Sequence, residues 1–171
     1  MLVTSLHLFQ VSIFESHGLG ADVAARVFPV SAITMVIAMP LIGKALDRFP
    51  TRFMFAFGQL VMIGSLLLVT QVSGLASALL YAVVFGLNNA VTMTLFSFVW
   101  PRFFGLKALG SIQGTGQMVG VVGASIGALP LGIAFDRFGT YDGMLAALTL
   151  LPAACFVLAF FLRQPAALDT P

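Results

Sequence analysis

The chain has 171 residues, of which 60% are hydrophobic and only 8% are charged. An average soluble domain is about 45–50% apolar and about 25% charged, so this composition weighs against a soluble enzyme, a nucleic-acid binder and a disordered chain. The net charge of +2 is too small to call for an anionic partner, and the single cysteine, Cys155, excludes an intrachain disulfide framework and cysteine-rich metal sites.

A membrane span needs about 20 apolar residues, and the charges divide the chain into runs of that size. The first segment, about 1–16, carries no charge before Glu15. Its uncharged part, Met1–Phe14, would rise only about 21 Å as a helix, against a hydrocarbon core of about 30 Å. Either it thins the bilayer or the chain begins inside a span; the second reading is preferred and implies part of a longer protein. The segment lacks a basic leader and a small-residue cleavage site, so it does not read as a signal peptide.

A second span is expected over 22–43, ended by Lys44, Asp47, Arg48 and Arg52. Phe53–Pro101 is a charge-free run of 49 residues, enough for two spans, 53–72 and 75–100, joined at Ser73-Gly74. Arg102 and Lys107 precede a fifth span over 109–134; Asp136, Arg137 and Asp142 precede a sixth over 142–162. The expected fold is all-α: a polytopic membrane helix bundle over 1–163, with five full spans and a truncated first one. Residues 164–171 read as a disordered tail. Lysine and arginine fall six (Lys44, Arg48, Arg52, Arg102, Lys107, Arg163) against two (Arg26, Arg137) on alternate sides. The positive-inside rule therefore puts the larger group and the C-terminus in the cytoplasm, with a bacterial inner membrane as the expected location.

Polar residues within the spans are the candidate site. His7 and Gln10 share a helix face; they line a cavity, His7 then holding substrate or a proton, or they bond a neighbouring helix. Tyr81, Phe85, Asn88 and Thr92 are spaced 4, 3 and 4 and form one stripe. An amide facing lipid costs several kcal/mol, so Asn88 must face protein or a solute path; Asn89 points elsewhere and reads as a helix–helix bond. Gln113 and Gln117, one turn apart, line the cavity or bridge helices. The fifth span holds seven glycines, three pairs of them at small-xxx-small spacing, and close helix packing is the preferred reading. Gly123-Ala124-Ser125-Ile126-Gly127 matches a hydrolase elbow, but that elbow needs a strand before it, and the match reads as accidental. No cofactor is expected.

Two segments repeat. Pro40-Leu41 precedes Asp47-Arg48-Phe49-Pro50-Thr51, and Pro130-Leu131 precedes Asp136-Arg137-Phe138-Gly139-Thr140, at offsets of 90 and 89 residues. The copies fall on opposite sides, as in an inverted three-helix duplication, a device of secondary transporters; chance likeness of membrane-flanking sequence is the alternative.

Gly43-Lys44-Ala45-Leu46-Asp47-Arg48, followed by Arg52, resembles the G-x-x-x-D-R-x-x-x-R loop of the major facilitator superfamily. Pro101-Arg102-Phe103-Phe104-Gly105, running on to Gly110 and Gly114, resembles the start of the eleventh helix in its monocarboxylate and oxalate/formate branch. Pro130 through Tyr141 resembles the end of that helix and the turn into the twelfth. The resemblance implies helices seven to twelve of a transporter, moving a small solute by alternating access, with an organic anion as candidate cargo. It implies a conformational role for Gly43, Asp47, Arg48 and Arg52, with Asp47 against a neighbouring helix N-terminus. The implied partners are the lipid bilayer, the solute, and a missing N-terminal six-helix half or a second copy. The alternative is a half without activity of its own, or a membrane interaction subunit. Two positions depart from the pattern: Pro50-Thr51 replaces a glycine–basic pair, and Met39 precedes Pro40 where the branch often places arginine, the natural fork for a carboxylate.

Overall fold

A chain that buries so few charges must satisfy its backbone within each segment, and in lipid the helix is the element that does so. The computed structural model describes residues 2–105, 109–138 and 141–161. Its elements are α1 (Leu2–Ser16), α2 (Ala21–Arg48), α3 (Thr51–Val69), α4 (Leu75–Phe104), α5 (Leu109–Phe138), α6 (Asp142–Leu148) and α7 (Leu150–Ala159). Five stretches are long and apolar enough to cross a membrane: Asp22–Arg48, Thr51–Val69, Leu75–Phe104, Leu109–Arg137 and Asp142–Ala159. The last joins α6 and α7 across Thr149; Pro152 has no N–H to give the Leu148 carbonyl, so the helix is interrupted one turn upstream.

Each connection has a local cause. After α1, the Gly18 N–H bonds the Glu15 carbonyl and the Leu19 N–H bonds that of Phe14, both at 2.9 Å. This is a Schellman end, and Gly18 takes the φ of +74° that it requires. Pro50 forces the residue before it out of the helical region, and Phe49 is extended there (φ −105°, ψ 147°). Between α3 and α4, the Ser77 hydroxyl accepts from the backbone N–H groups of Ser73 (3.0 Å) and Gly74 (3.1 Å). It thereby satisfies two donors at the start of α4.

Two expectations about helix ends need correction. The Gly43–Arg48 stretch, read as a loop, is helical: α2 runs to Arg48, so Asp47 lies in its last turn and only Phe49 and Pro50 separate the two helices. The Pro101–Gly105 segment, read as opening the fifth span, closes α4 instead. Gly105 sits at φ +71°, ψ −171°, a region left almost wholly to glycine, and its N–H bonds the Pro101 carbonyl at 3.0 Å. Lys107, Gly139, Thr140, Arg163 and the 164–171 tail lie outside the described residues.

The most extensive interface joins α2 to α4, followed by α3 with α4 and α3 with α7, while α1 leans on α5. The larger core gathers Leu6, Ile13 and Phe14 of α1, Met62 and Leu66 of α3, Tyr81 and Phe85 of α4, Leu131 of α5 and Leu145 of α6. A smaller one, Ile42, Leu46, Met54, Val91 and Leu95, closes the opposite end. Close approach of α2 and α4 depends on Gly86: a Cβ there would run into the Ser31 carbonyl and lie 2.9 Å from Thr34 Cβ. Most of the α5 glycines do not act in this way. Gly110, Gly114, Gly120, Gly123 and Gly132 have open space where a Cβ would sit, Gly116 is packed against the Trp100 ring, and Gly127 is buried.

Candidate functional site

The polar residues of the spans divide between two places. The first is the interior between α1 and α4. Tyr81, Phe85 and Asn88 recur at helical spacing on α4 and are fully buried. The rings of Tyr81 and Phe85 stack at 5.3 Å. From α1, Phe14 meets the edge of Tyr81 at 5.9 Å and the His7 ring lies 4.7 Å from that of Phe85. Gln10 shares the α1 face of His7 and Phe14. It is 1% exposed, and neither its amide nitrogen nor its oxygen has a hydrogen-bond partner among the described residues. The buried Tyr81 hydroxyl is likewise unpartnered. Asn88 Nδ2 has only the Met62 thioether, at 3.2 Å, a weak acceptor. Asn89 Nδ2 donates back to the Phe85 carbonyl at 3.0 Å, a bond within its own helix rather than between helices.

His7 is exposed at its rim, with Nδ1 3.1 Å from the Val3 carbonyl oxygen. Thr92, the fourth member of the α4 stripe, is exposed instead of buried: at its level α2 and α3 cover the Val91 and Leu95 face of α4, not the face that carries Thr92. The structure thus brings His7, Gln10, Tyr81 and Asn88 to one aromatic-lined interior and leaves Thr92 outside it.

The second place is an open cleft of about 380 Å³ between α1 and α5, lined by Thr4 and Leu8 from α1 and by Gln117, Gly120, Val121, Ala124 and Ser125 from α5. Ser125 stands near the middle of α5, sixteen residues from Leu109 and thirteen from Phe138. Gln117 is exposed and makes no hydrogen bond among the described residues; Gln113, one turn earlier, is half-buried and outside the cleft. Ser125 Oγ donates to the Val121 carbonyl at 3.1 Å, which leaves its lone pairs free to accept. Sequence reasoning named Gln117 but missed Thr4 and Ser125. A lone hydroxyl in an apolar run gives no signal until the facing helix is known. The Gly123–Gly127 stretch around Ser125 is helical, with none of the strand a hydrolase elbow requires.

Charge stays at the helix ends. Asp47, Arg48 and Arg52 are exposed, Gly43 is half-buried, and the Arg52 guanidinium lies 4.9 Å over the ring of its neighbour Phe53. Asp47 makes no ion pair or hydrogen bond among the described residues, so the helix-end contact implied for it is not formed in this structure. At the other end α1 is tied to the α5–α6 turn. Ser12 and Tyr141 share a 2.8 Å hydrogen bond, and His17 Nε2 lies 3.3 Å from Asp142 Oδ1. No group of three or more metal-ligating side chains occurs among the described residues.

The polar exposure also sorts by helix. Every helix exposes apolar side chains, α5 among them with Met118, Val119, Val122 and Ile126, but on α3 past Arg52 (Phe53, Phe57, Leu60, Leu67), on α7 (Leu150, Leu151, Val157, Leu158) and in the middle of α2 (Ile33, Val36, Ile37, Leu41) the large exposed residues are all apolar. Exposed polar side chains sit on α1 (Thr4, His7), α4 (Thr92, Ser97) and α5 (Ser111, Thr115, Gln117, Ser125). No family model, curated protein or solved structure matches the chain.

Proposed function

We propose that the chain is one six-helix half of a secondary transporter of the major facilitator type, carrying a small solute across a membrane by alternating access. The observation that carries this reading is the sorting of exposed residues. Lipid tolerates the apolar faces of α2, α3 and α7 but penalises a free amide by several kcal/mol. Gln117, and the hydroxyls of Thr4, Thr92 and Ser111, which make no bond among the described residues, therefore face water or a second protein wall, as the lining of a solute path does, whereas Ser97, Thr115 and Ser125 give their protons to carbonyls of their own helices.

The internal repeat adds support. Pro40 stands eight residues before the end of α2, and Pro130 eight before the end of α5, each with Asp-Arg in the closing turn. Exchanging the first three helices with the last turns the α2–α4 interface into the α5–α1 interface and returns α3–α7 to itself, although the extensive α3–α4 interface has no comparable α1–α7 counterpart. Such pairing is expected of an inverted duplication. Arginine and lysine counts then orient the unit with Arg48, Arg52 and Arg102 in the cytoplasm. The path needs a second wall, which a second six-helix half supplies.

Labelling from both sides tests the proposal. In a Cys155→Ser background, Thr92→Cys and Thr115→Cys variants in sealed, oriented vesicles are treated with a membrane-impermeant thiol reagent on one side at a time. Alternating access predicts reaction from each side, with Phe57→Cys and Leu158→Cys unreactive. Reaction at none of the polar positions, or equally at the apolar ones, overturns the reading.

A further inference from the structure

We infer that the α1–α5 cleft is a binding subsite for an uncharged solute that offers both a hydrogen-bond donor and an acceptor on an apolar body. The inference rests on the transport reading above and names the substrate class that the path accepts.

The walls decide the chemistry. Leu8, Val121, Ala124 and Gly120 present carbon, and Gly120 leaves room for a flat group to lie against the α5 backbone, since nothing occupies the place of its missing Cβ. Three groups supply polarity. Gln117 has a free amide that can donate and accept; Thr4 has a hydroxyl that can do either; Ser125 has already given its proton to Val121 and presents lone pairs. All three are neutral. On α1 His7 stands between Thr4 and Leu8 but lays its ring on Phe85 and is not part of the cleft lining; the first Asp, Glu, Lys or Arg along that helix is Glu15, seven residues beyond Leu8. Along α5 it is Asp136, eleven residues beyond Ser125. At the helical rise these lie about 10 and about 16 Å away along the axis. A carboxylate in this cleft would give up part of its hydration with no lysine or arginine in the lining to offset it, whereas a neutral amide or alcohol exchanges water bonds for bonds to Gln117 and Thr4 at little net cost. The volume is at the scale of small-molecule sites. This departs from the organic-anion cargo implied by resemblance.

The test uses a matched pair of probes, benzamide and benzoate, which share size and ring but differ in charge. The full chain carrying Ser125→Cys and Cys155→Ser is reconstituted in liposomes and labelled with a water-soluble thiol reagent. Benzamide at about twice its Kd should slow labelling about threefold, benzoate should not, and adding Gln117→Leu should abolish the protection while labelling itself persists. If benzoate protects as well as benzamide, or neither protects, the neutral-solute assignment is wrong even where Thr92→Cys and Thr115→Cys still label. If position 125 and both of those positions are unreactive, water does not reach this face and the transport reading fails with it.

Discussion

The tightest contact in the bundle gives the sharpest test of how its helices meet. A Cβ on residue 86 would lie 2.9 Å from Thr34 Cβ and 3.0 Å from Ser31 Cα, and would strike the Ser31 carbonyl oxygen. All these atoms belong to α2 backbone or to a Cβ fixed to it, so no flexible side chain can yield. Carbon atoms rest comfortably at about 3.5–4.0 Å. A Gly86→Ala variant must therefore move α2 and α4 apart by about 0.5–1 Å, a gap that forfeits a quarter to a half of each dispersion contact. Overpacking of this kind costs about 1–3 kcal/mol. Alanine also stabilises a helix interior by up to about 1 kcal/mol over glycine, and a control removes that term. Gly64→Ala in α3 gains the same propensity, and its Cβ would meet Val84 Cγ1 at an ordinary 3.7 Å. The difference between the two variants isolates the clash, so Gly86→Ala should be about 1–3 kcal/mol less stable than Gly64→Ala. Detergent-micelle unfolding, with helical signal followed against added SDS, measures it. Equal stability of the two variants would refute the close α2–α4 approach.

Other consequences concern the buried and end-on polar groups. Gln10→Met replaces an unpartnered amide with an apolar side chain of similar shape, so it should raise unfolding stability by about 1–3 kcal/mol; a loss instead means that the amide is bonded in the folded protein. Tyr141→Phe removes the hydroxyl shared with Ser12 and should cost about 1 kcal/mol. Combining it with Ser12→Ala should add little, and strict additivity in that double-mutant cycle would disprove the bond. The His17–Asp142 pair is half exposed on the Asp142 side, so Asp142→Asn should cost under about 1 kcal/mol and the loss should shrink with added salt; a salt-independent loss of several kcal/mol would contradict this.

Two helix ends are set by a residue whose effect is local, although the charge runs and not these residues gave the expected bounds. Pro50 ends α2 and Gly18 ends α1 by backbone geometry alone. Where a competing local rule existed, reading failed. Family resemblance put Pro101 at the start of a helix, but Gly105 four residues on supplies a stop, and α4 absorbs the proline. Charged residues were taken to lie past a helix end, yet Asp47 and Arg48 remain in the last turn of α2. The stripe on α4 was read correctly as one face, but its fate was not in the sequence. Tyr81, Phe85 and Asn88 are buried and Thr92 is not, while Val91 and Leu95 beside it are, because burial depends on which face of α4 the neighbouring helices cover at each level.

Glycine makes the same point from the other direction. Spacing singled out α5, with seven of them, as the packing helix, while the glycine that governs the main interface is the lone Gly86 of α4. Spacing says which residues share a face; only the position of α2 says which face is pressed. The sequence by itself determined that the chain is helical and apolar enough to cross a membrane, and nearly where each long helix starts. A bilayer excludes charge and forces every backbone group to pair within its own segment, and both demands are written residue by residue. The tertiary structure alone decided that Gln10 and Tyr81 are sealed inside, and that Thr4, Gln117 and Ser125, from helices more than a hundred residues apart, share one cleft. Those outcomes depend on how rigid helices pack against one another, and no single helix encodes its neighbours.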